Sequence, residues 1–304
     1  MRGTSTIFLK FIRISFCGDC PVRNIKVCLL SVVAVLFVLR PAEAERLEAV
    51  LENQLVYKIY VGGFHIINLD VGIQFEPSTY HVNARIKSVG TIEWLFPWSM
   101  TAYSIGGFHE TKIKPLTAGQ ENNWRGKKRY AYLKFEHGEV KIVRIRPKPR
   151  TDDREPVSKD VRRGTLDLMS AIIGLIARLH RNEACDGIFR VFDGRRRYDL
   201  IAKSLGNKTL PANRYTPFAG ATTQCRLSIN KIAGFKKTDN SDWKGLDRSA
   251  RVWMGRPFID VPPVPIRLML ETPIGGLVAH LTLATSTVGG KKRSLIKKRL
   301  KKVK

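Results

Sequence analysis

The sequence predicts a mainly β fold, an antiparallel sheet covered by one long helix, in a chain of 304 residues. Three observations lead there. Apolar and polar residues alternate with a period of two along most of residues 54–146, as half-buried strands require. Glycine-centred turn signals separate those runs. One clear stretch, from about Val161 to Arg181, spaces its apolar residues by three and four instead.

Ahead of the strands stands an export signal. Arg23 and Lys26 precede an apolar run from Val27 to Leu39, followed by Arg40-Pro41 and the small-residue site Ala42-Glu43-Ala44. Charged start, short apolar helix and A-x-A site are the order of a secretory peptide, with cleavage expected between Ala44 and Glu45. The run of about 13 residues falls short of the roughly 20 that a membrane-crossing helix needs, and an uncleaved inner-membrane tether is the alternative. The expected organisation is a leader and signal over 1–44, a single β-rich envelope domain over 45–288 and a basic, disordered tail over 289–304. The expected location is the periplasm of a Gram-negative envelope. Cys17, Cys20 and Cys28 fall in the leader, leaving Cys185 and Cys225. In an oxidising compartment these two are a natural pair. Closing about 40 residues restricts the unfolded chain by roughly 4 kcal/mol in the entropy model. Two buried free thiols are the alternative.

The strands follow in order. Leu55, Tyr57 and Ile59 alternate with Val56, Lys58 and Tyr60, and Gly62-Gly63 then supplies a tight turn. Phe64 to Phe75 and Tyr80 to Val89 continue the pattern across Glu76-Pro77-Ser78. Trp94, Phe96 and Trp98 surround Pro97, which suggests a short helix or corner. Tyr103 to Ile113 holds a second Gly-Gly, and Lys127 to Phe135 and Glu139 to Arg146 form a hairpin across His137-Gly138. The four apolar-glycine signatures at 61–64, 105–108, 232–235 and 274–277 recur irregularly, so they read as turn chemistry and not as a repeat. After a polar connector at 147–160, Leu166, Met169, Ile172, Ile173, Ile176 and Leu179 form the apolar stripe of the helix. Such a stripe is core.

Asp193-Gly194 between two alternating runs is a strong hairpin signal. A two-residue turn would pair Phe192 with Arg195, Val191 with Arg196, Arg190 with Arg197 and Phe189 with Tyr198. Phe189, Val191 and Tyr198 then share one face, and Arg190 opposes Arg197 on the other. Opposed like charges destabilise a sheet unless a carboxylate or ligand sits between them. Arg190, Arg195 and Arg197, with Asp199, are therefore a candidate anion subsite. A solvated strand face relieved by Asp199 is the plain alternative.

Val191 to Leu200, preceded by Cys185-Asp186-Gly187 and followed by Cys225 and Gly234-Phe235, resembles the bacterial envelope family catalogued as domain of unknown function 3108. Tyr57-Lys58-Ile59-Tyr60-Val61-Gly62-Gly63 is similar to that family's first strand. The resemblance spans about residues 50–285 and brings no assigned activity. It implies an exported β-rich domain: a curved antiparallel sheet, or half-open β-barrel, wrapped on a helix as in periplasmic lipoprotein carriers.

The charge balance is strongly basic, 53 Lys+Arg against 26 Asp+Glu. Residues 291–304 hold nine basic residues and no acidic one, and such a block repels itself. Outside the inner membrane its expected partner is an anionic lipid or cell-surface polymer, each cation adding about 1 kcal/mol near such a surface; no nucleic acid is expected. His65, His81, His109, His137, His180 and His280 are scattered, with no metal-binding spacing. No nucleophile elbow, phosphate loop or dinucleotide fingerprint is present. No metal, cofactor or catalytic set is expected. The leading expectation is a non-enzymatic binding or carrier protein for an apolar or amphipathic envelope ligand. Tyr57, Phe64, Trp94, Trp98, Tyr103, Phe189, Tyr198 and Trp253 would enclose that ligand, or simply fill the core. The second expectation is an envelope structural or interaction protein that holds anionic membrane or polymer through Lys291–Lys304.

Overall fold

The computed structural model describes residues 50–148, 154–236, 249–272 and 275–296. The leader, the cleavage site at Ala42, Ala44 and Glu45, and the end of the basic segment (297–304) lie outside the described residues.

Fourteen strands form one antiparallel sheet. They are β1 (Leu51–Val61), β2 (Phe64–Phe75), β3 (Thr79–Ser88), β4 (Trp98–His109), β5 (Lys112–Trp124), β6 (Lys127–Glu136) and β7 (Glu139–Arg146), then β8 (Gly187–Phe192), β9 (Arg197–Leu210), β10 (Gly220–Ala233), β11 (Ala250–Gly255), β12 (Val264–Thr272), β13 (Gly275–Val288) and β14 (Lys291–Ile296). The spatial order is β7-β6-β5-β4-β3-β2-β1-β13-β12-β11-β10-β9-β8, with β14 added on β13. β13 pairs with β1 along one edge, while β12 and β14 share the other. The outer edges of β7 and β8 do not pair with each other, so the sheet is not closed into a barrel.

Local chemistry explains the hairpins. Gly62 and Gly63 both take positive φ (55° and 88°), the backbone of a two-residue turn matched to strand twist. His137-Gly138 does the same for β6 and β7. Gly106-Gly107 does not make a turn, contrary to the reading of its signature. It lies inside β4 beside a bulge, where a Cβ on Gly106 would sit 2.3 Å from the Tyr80 hydroxyl. Glycine is needed there for close approach, not for φ.

Three short helices interrupt the strands: α1 (Thr91–Leu95), α2 (Lys159–Arg162) and α3 (Leu168–His180). The one long helix expected over 161–181 is thus shorter. Gly164 (φ 67°) and an N-cap at Asp167 separate α2 from α3, and Leu166 joins the sheet through a bridge to Val191. The stripe itself is core: Ile173, Ile176 and Leu179 pack with Leu55, Tyr57, Ile73, Val82, Val252, Met254 and Leu281. Those residues come from both halves of the sheet. The period-two pattern of β1 buries Leu51, Leu55 and Tyr57 and exposes Glu52, Gln54 and Lys58. Cys185 and Cys225 are fully buried and form a disulfide with a Cα separation of 6.0 Å.

Two further expectations are corrected. The basic segment is not unstructured from 289, because Lys291–Ile296 form β14. The proposed aromatic set does not line one enclosure: Tyr57, Tyr198 and Trp253 are buried, whereas Phe64 and Trp94 are largely exposed.

Candidate functional site

The β8–β9 hairpin exists, but its register is shifted by two from that of a two-residue turn. Phe192 pairs with Arg197, Val191 with Tyr198, Arg190 with Asp199 and Phe189 with Leu200. The opposition of Arg190 to Arg197 is therefore overturned. Asp193 causes the shift: its Oδ1 accepts the backbone N–H groups of Arg195 (2.9 Å) and Arg196 (2.8 Å), holding a four-residue turn. Its other oxygen takes the Arg196 guanidinium at 2.8 Å. The longer turn replaces an Arg–Arg pair by an Arg–Asp one, which is the electrostatic gain.

The candidate anion residues are accordingly dispersed. Arg197 is buried at 3% exposure, with Nη1 2.7 Å from Asp199 Oδ1, and it lies beside the buried Phe192. Arg195 donates to the carbonyl of Pro147. Arg190 is exposed on the strand facing Asp199. The structure brings Arg197 and Asp199 together and directs the Arg195 guanidinium to the Pro147 carbonyl.

Sequence reasoning missed a buried polar network at the start of α3. Asp167 Oδ1 accepts the N–H groups of Met169 (2.9 Å) and Ser170 (3.1 Å), as an N-cap does. Its Oδ2 accepts the hydroxyls of Ser104 (2.9 Å) and Ser170, and Ser170 Oγ lies 2.7 Å from Tyr80 Oη. Burial pushes the Asp167 carboxyl above its ordinary value despite these donors, and lifts Tyr80 to about 12. The network clamps α3 to β3 and β4. The signal was an aspartate just after Leu166, the first residue of the apolar stripe, in the place of a helix N-cap.

The unclosed seam between β7 and β8 is bridged by residues 154–167. Leu166 N–H donates to the Arg190 carbonyl (2.8 Å) and the Leu166 carbonyl accepts from Phe192 N–H (2.8 Å), while Gly164 N–H donates to the Gly138 carbonyl (2.7 Å). Beside this bridge an open hollow of about 490 Å3 is lined by Ile113, Pro115, Leu116, Phe135 and Leu166, with Lys114 and His137 also on its walls. Its size falls within the range of ligand pockets, about 300–1,000 Å3. A second hollow, about 70 Å3, lies at the N-terminus of α3 and is too small for more than solvent. Two larger hollows have more polar walls than the one beside the bridge. One, about 560 Å3, lies over Gly72 and Gly119 among Asp70, Asn83, Arg85, Tyr103, Glu121 and Tyr132. The other, about 680 Å3, lies by Asn182, Asn207 and Arg256. Among the described residues no group of three His, Cys, Asp or Glu side chains could hold a metal.

No curated protein matches the chain. Among solved structures it is similar to a β-barrel-like protein of domain of unknown function DUF1849 from Brucella abortus. The identity is 9%, 81% of this chain and 100% of that one are covered, and the TM-score is 0.44. The family model described as protein of unknown function (DUF3108) matches residues 56–282. With most of its length inside that match, including the hairpin, the disulfide and the seam, the chain belongs to the DUF3108 family.

Proposed function

We propose that this chain is an exported, non-enzymatic binding protein of the cell envelope that seats an amphipathic ligand in the hollow beside the seam. The apolar hollow of about 490 Å3 carries the reading. An acyl-sized apolar segment fits against Ile113, Leu116, Phe135 and Leu166, and Lys114 supplies a cation for an anionic head group. The interior between the sheet halves is filled by α3, so the ligand would lie at the seam and not in a central cavity. The export signal, with Ala42, Ala44 and Glu45 at its cleavage site, supports a periplasmic location, an uncleaved membrane tether being the alternative.

The test is native mass spectrometry of protein isolated from the periplasm, paired with Leu116→Asp. Leu116 is 54% exposed, so the substitution adds a charge to the hollow without opening the core. Co-purified lipid present in the parent and lost from the variant is the expected result. Lipid absent from both, or retained equally, would overturn the proposal. A second reading, docking on anionic membrane or polymer through Lys291–Lys304, is favoured by the exposure of Lys291 and Lys292 on β14. It predicts salt-sensitive envelope binding that is lost when 297–304 are deleted.

A further inference from the structure

At one end of strands β2–β6 the turns carry the most exposed aromatic surface among the described residues. Trp94 is 82% exposed and Phe64 is 78% exposed; Leu95, Phe96 and Trp124 are also exposed. Soluble surfaces seldom leave large apolar groups grouped in this way unless they meet another phase or a partner. The four around the β3–β4 and β5–β6 turns form one built tip. Phe96 stacks on Trp124 with ring centroids 6.3 Å apart, and Trp124 meets Trp98 edge-on at 6.5 Å. The Arg125 guanidinium lies 4.6 Å from the centre of the Phe96 ring and donates to the Leu95 carbonyl (3.2 Å), while Arg125 N–H donates to the Pro97 carbonyl (3.0 Å). These contacts tie the two turns together with their apolar side facing water.

The charges beside the β5–β6 turn are positive. From Asn122 to Arg129 there are four cations (Arg125, Lys127, Lys128 and Arg129) and no carboxylate. Lys127, Lys128 and Arg129 are exposed. On the α1 side Glu93 is neutralised by Lys87 at 2.7 Å. Tryptophan and phenylalanine flanked by lysine and arginine match the interfacial zone of a bilayer, with rings at head-group depth and cations on lipid phosphates. We propose that this aromatic tip is a docking surface for an anionic lipid bilayer. The hollow beside the seam involves the β6–β7 turn, at the opposite end of β6, so docking and ligand binding are separable.

The test uses the whole chain with vesicles of phosphatidylcholine and phosphatidylglycerol in equal parts, and with phosphatidylcholine alone. Tryptophan emission should shift to the blue on the anionic vesicles and remain unshifted on the neutral ones. The readout is specific to the folded domain, because residues 289–304 contain no tryptophan. Lys127→Gln with Lys128→Gln should lower partitioning by about 25-fold, at about fivefold per cation. Trp94→Ser should lower the blue shift, Trp124 remaining as a second reporter in the tip. Both variants should melt within a degree or so of the parent, since every substituted side chain is exposed. No shift on anionic vesicles, or a shift unaltered by both variants, would overturn the proposal. Loss of lipid co-purification through Leu116→Asp would leave this result untouched.

Discussion

The carboxyl of Asp167 is the most informative group to perturb. It caps α3 through two backbone N–H groups and ties that helix to β4 through Ser104. Truncation in Asp167→Ala removes the cap, worth about 1 kcal/mol, and two hydroxyl hydrogen bonds of about 1 kcal/mol each. The expected loss is about 3 kcal/mol, or about 6–12 °C in Tm for a domain of this size. Asp167→Asn keeps the acceptor that caps the helix, and its amide can donate to hydroxyls that rotate to receive it. Asparagine should therefore stay within about 1 kcal/mol of the parent. The pH dependence separates the two roles of the carboxyl. Burial raises its pKa above the ordinary 3.8, so the folded state holds the proton more tightly than the unfolded state. That contribution to stability is complete below about pH 4 and is lost as pH rises through the folded-state value. Urea melts of parent and Asp167→Asn, compared from pH 3.5 to 8, should diverge with this sign, the parent gaining on the variant as pH falls. An Asp167→Ala melt within 1 kcal/mol of the parent, or parallel pH curves for parent and Asp167→Asn, would refute the reasoning.

Three further outcomes follow from buried groups. Reducing the Cys185–Cys225 bridge, or replacing both cysteines by serine, should cost about 4 kcal/mol for a loop of this length; coincident melts of oxidised and reduced protein would contradict it. Asp199→Ala leaves the buried Arg197 guanidinium without its counter-charge and should cost about 3 kcal/mol, whereas replacing both partners (Arg197→Met with Asp199→Leu), or Arg190→Ala alone, should be nearly neutral in urea melts. Equal, small effects at Asp199 and Arg190 would mean the ion pair is not structural. His280 is buried against Tyr215, its ring stacked at 4.9 Å, and burial with Arg267 nearby lowers its pKa to about 4. Its imidazole should titrate near 4 by NMR, and its stabilising effect, about 1–2 kcal/mol after screening, should be present above pH 6.5 and lost as pH falls towards 4. A midpoint at 6 or above would show that the ring is hydrated.

How much of this was legible depended on the range of the forces involved. Turns set by backbone conformation were readable: Gly62-Gly63 and His137-Gly138 fall at the tips of their hairpins. The stripe of Ile173, Ile176 and Leu179 was readable as core because helical periodicity is local. Family membership was readable from the residues around Asp193-Gly194, although the register there was not. Dipeptide preference points to a two-residue turn, and the Asp193 side chain, together with the charge of Asp199 opposite Arg190, outweighs it. β14 was missed because a run of like charges alone cannot fold; pairing with Thr285 and Thr287 on β13 supplies what it lacks. The hollow gave no local signal, since Ile113, Phe135 and Leu166 meet only once the seam is assembled.

The seam shows why such a hollow arises in this architecture. An open sheet has free edges, here the outer sides of β7 and β8 besides that of β14, and a free edge invites pairing with another chain. Here β8 is capped by Leu166, which satisfies the Arg190 carbonyl and the Phe192 N–H. β7 alternates Lys141, Arg144 and Arg146 with apolar residues, and those cations discourage a neighbouring strand. Direct pairing of β7 with β8 would protect both edges better, but it would leave no gap for residues 154–167 to cross. Leu166 bridges to β8 in that gap and Gly164 turns the chain beside it, a single backbone that is thinner than a strand pair with its side chains. The apolar space left beside them, between Leu116, Phe135 and Leu166, follows from capping the edges with a connector in place of closing the barrel. A change that lets β7 and β8 pair should therefore raise stability and abolish the proposed ligand binding together, and a variant gaining one without losing the other would break that link.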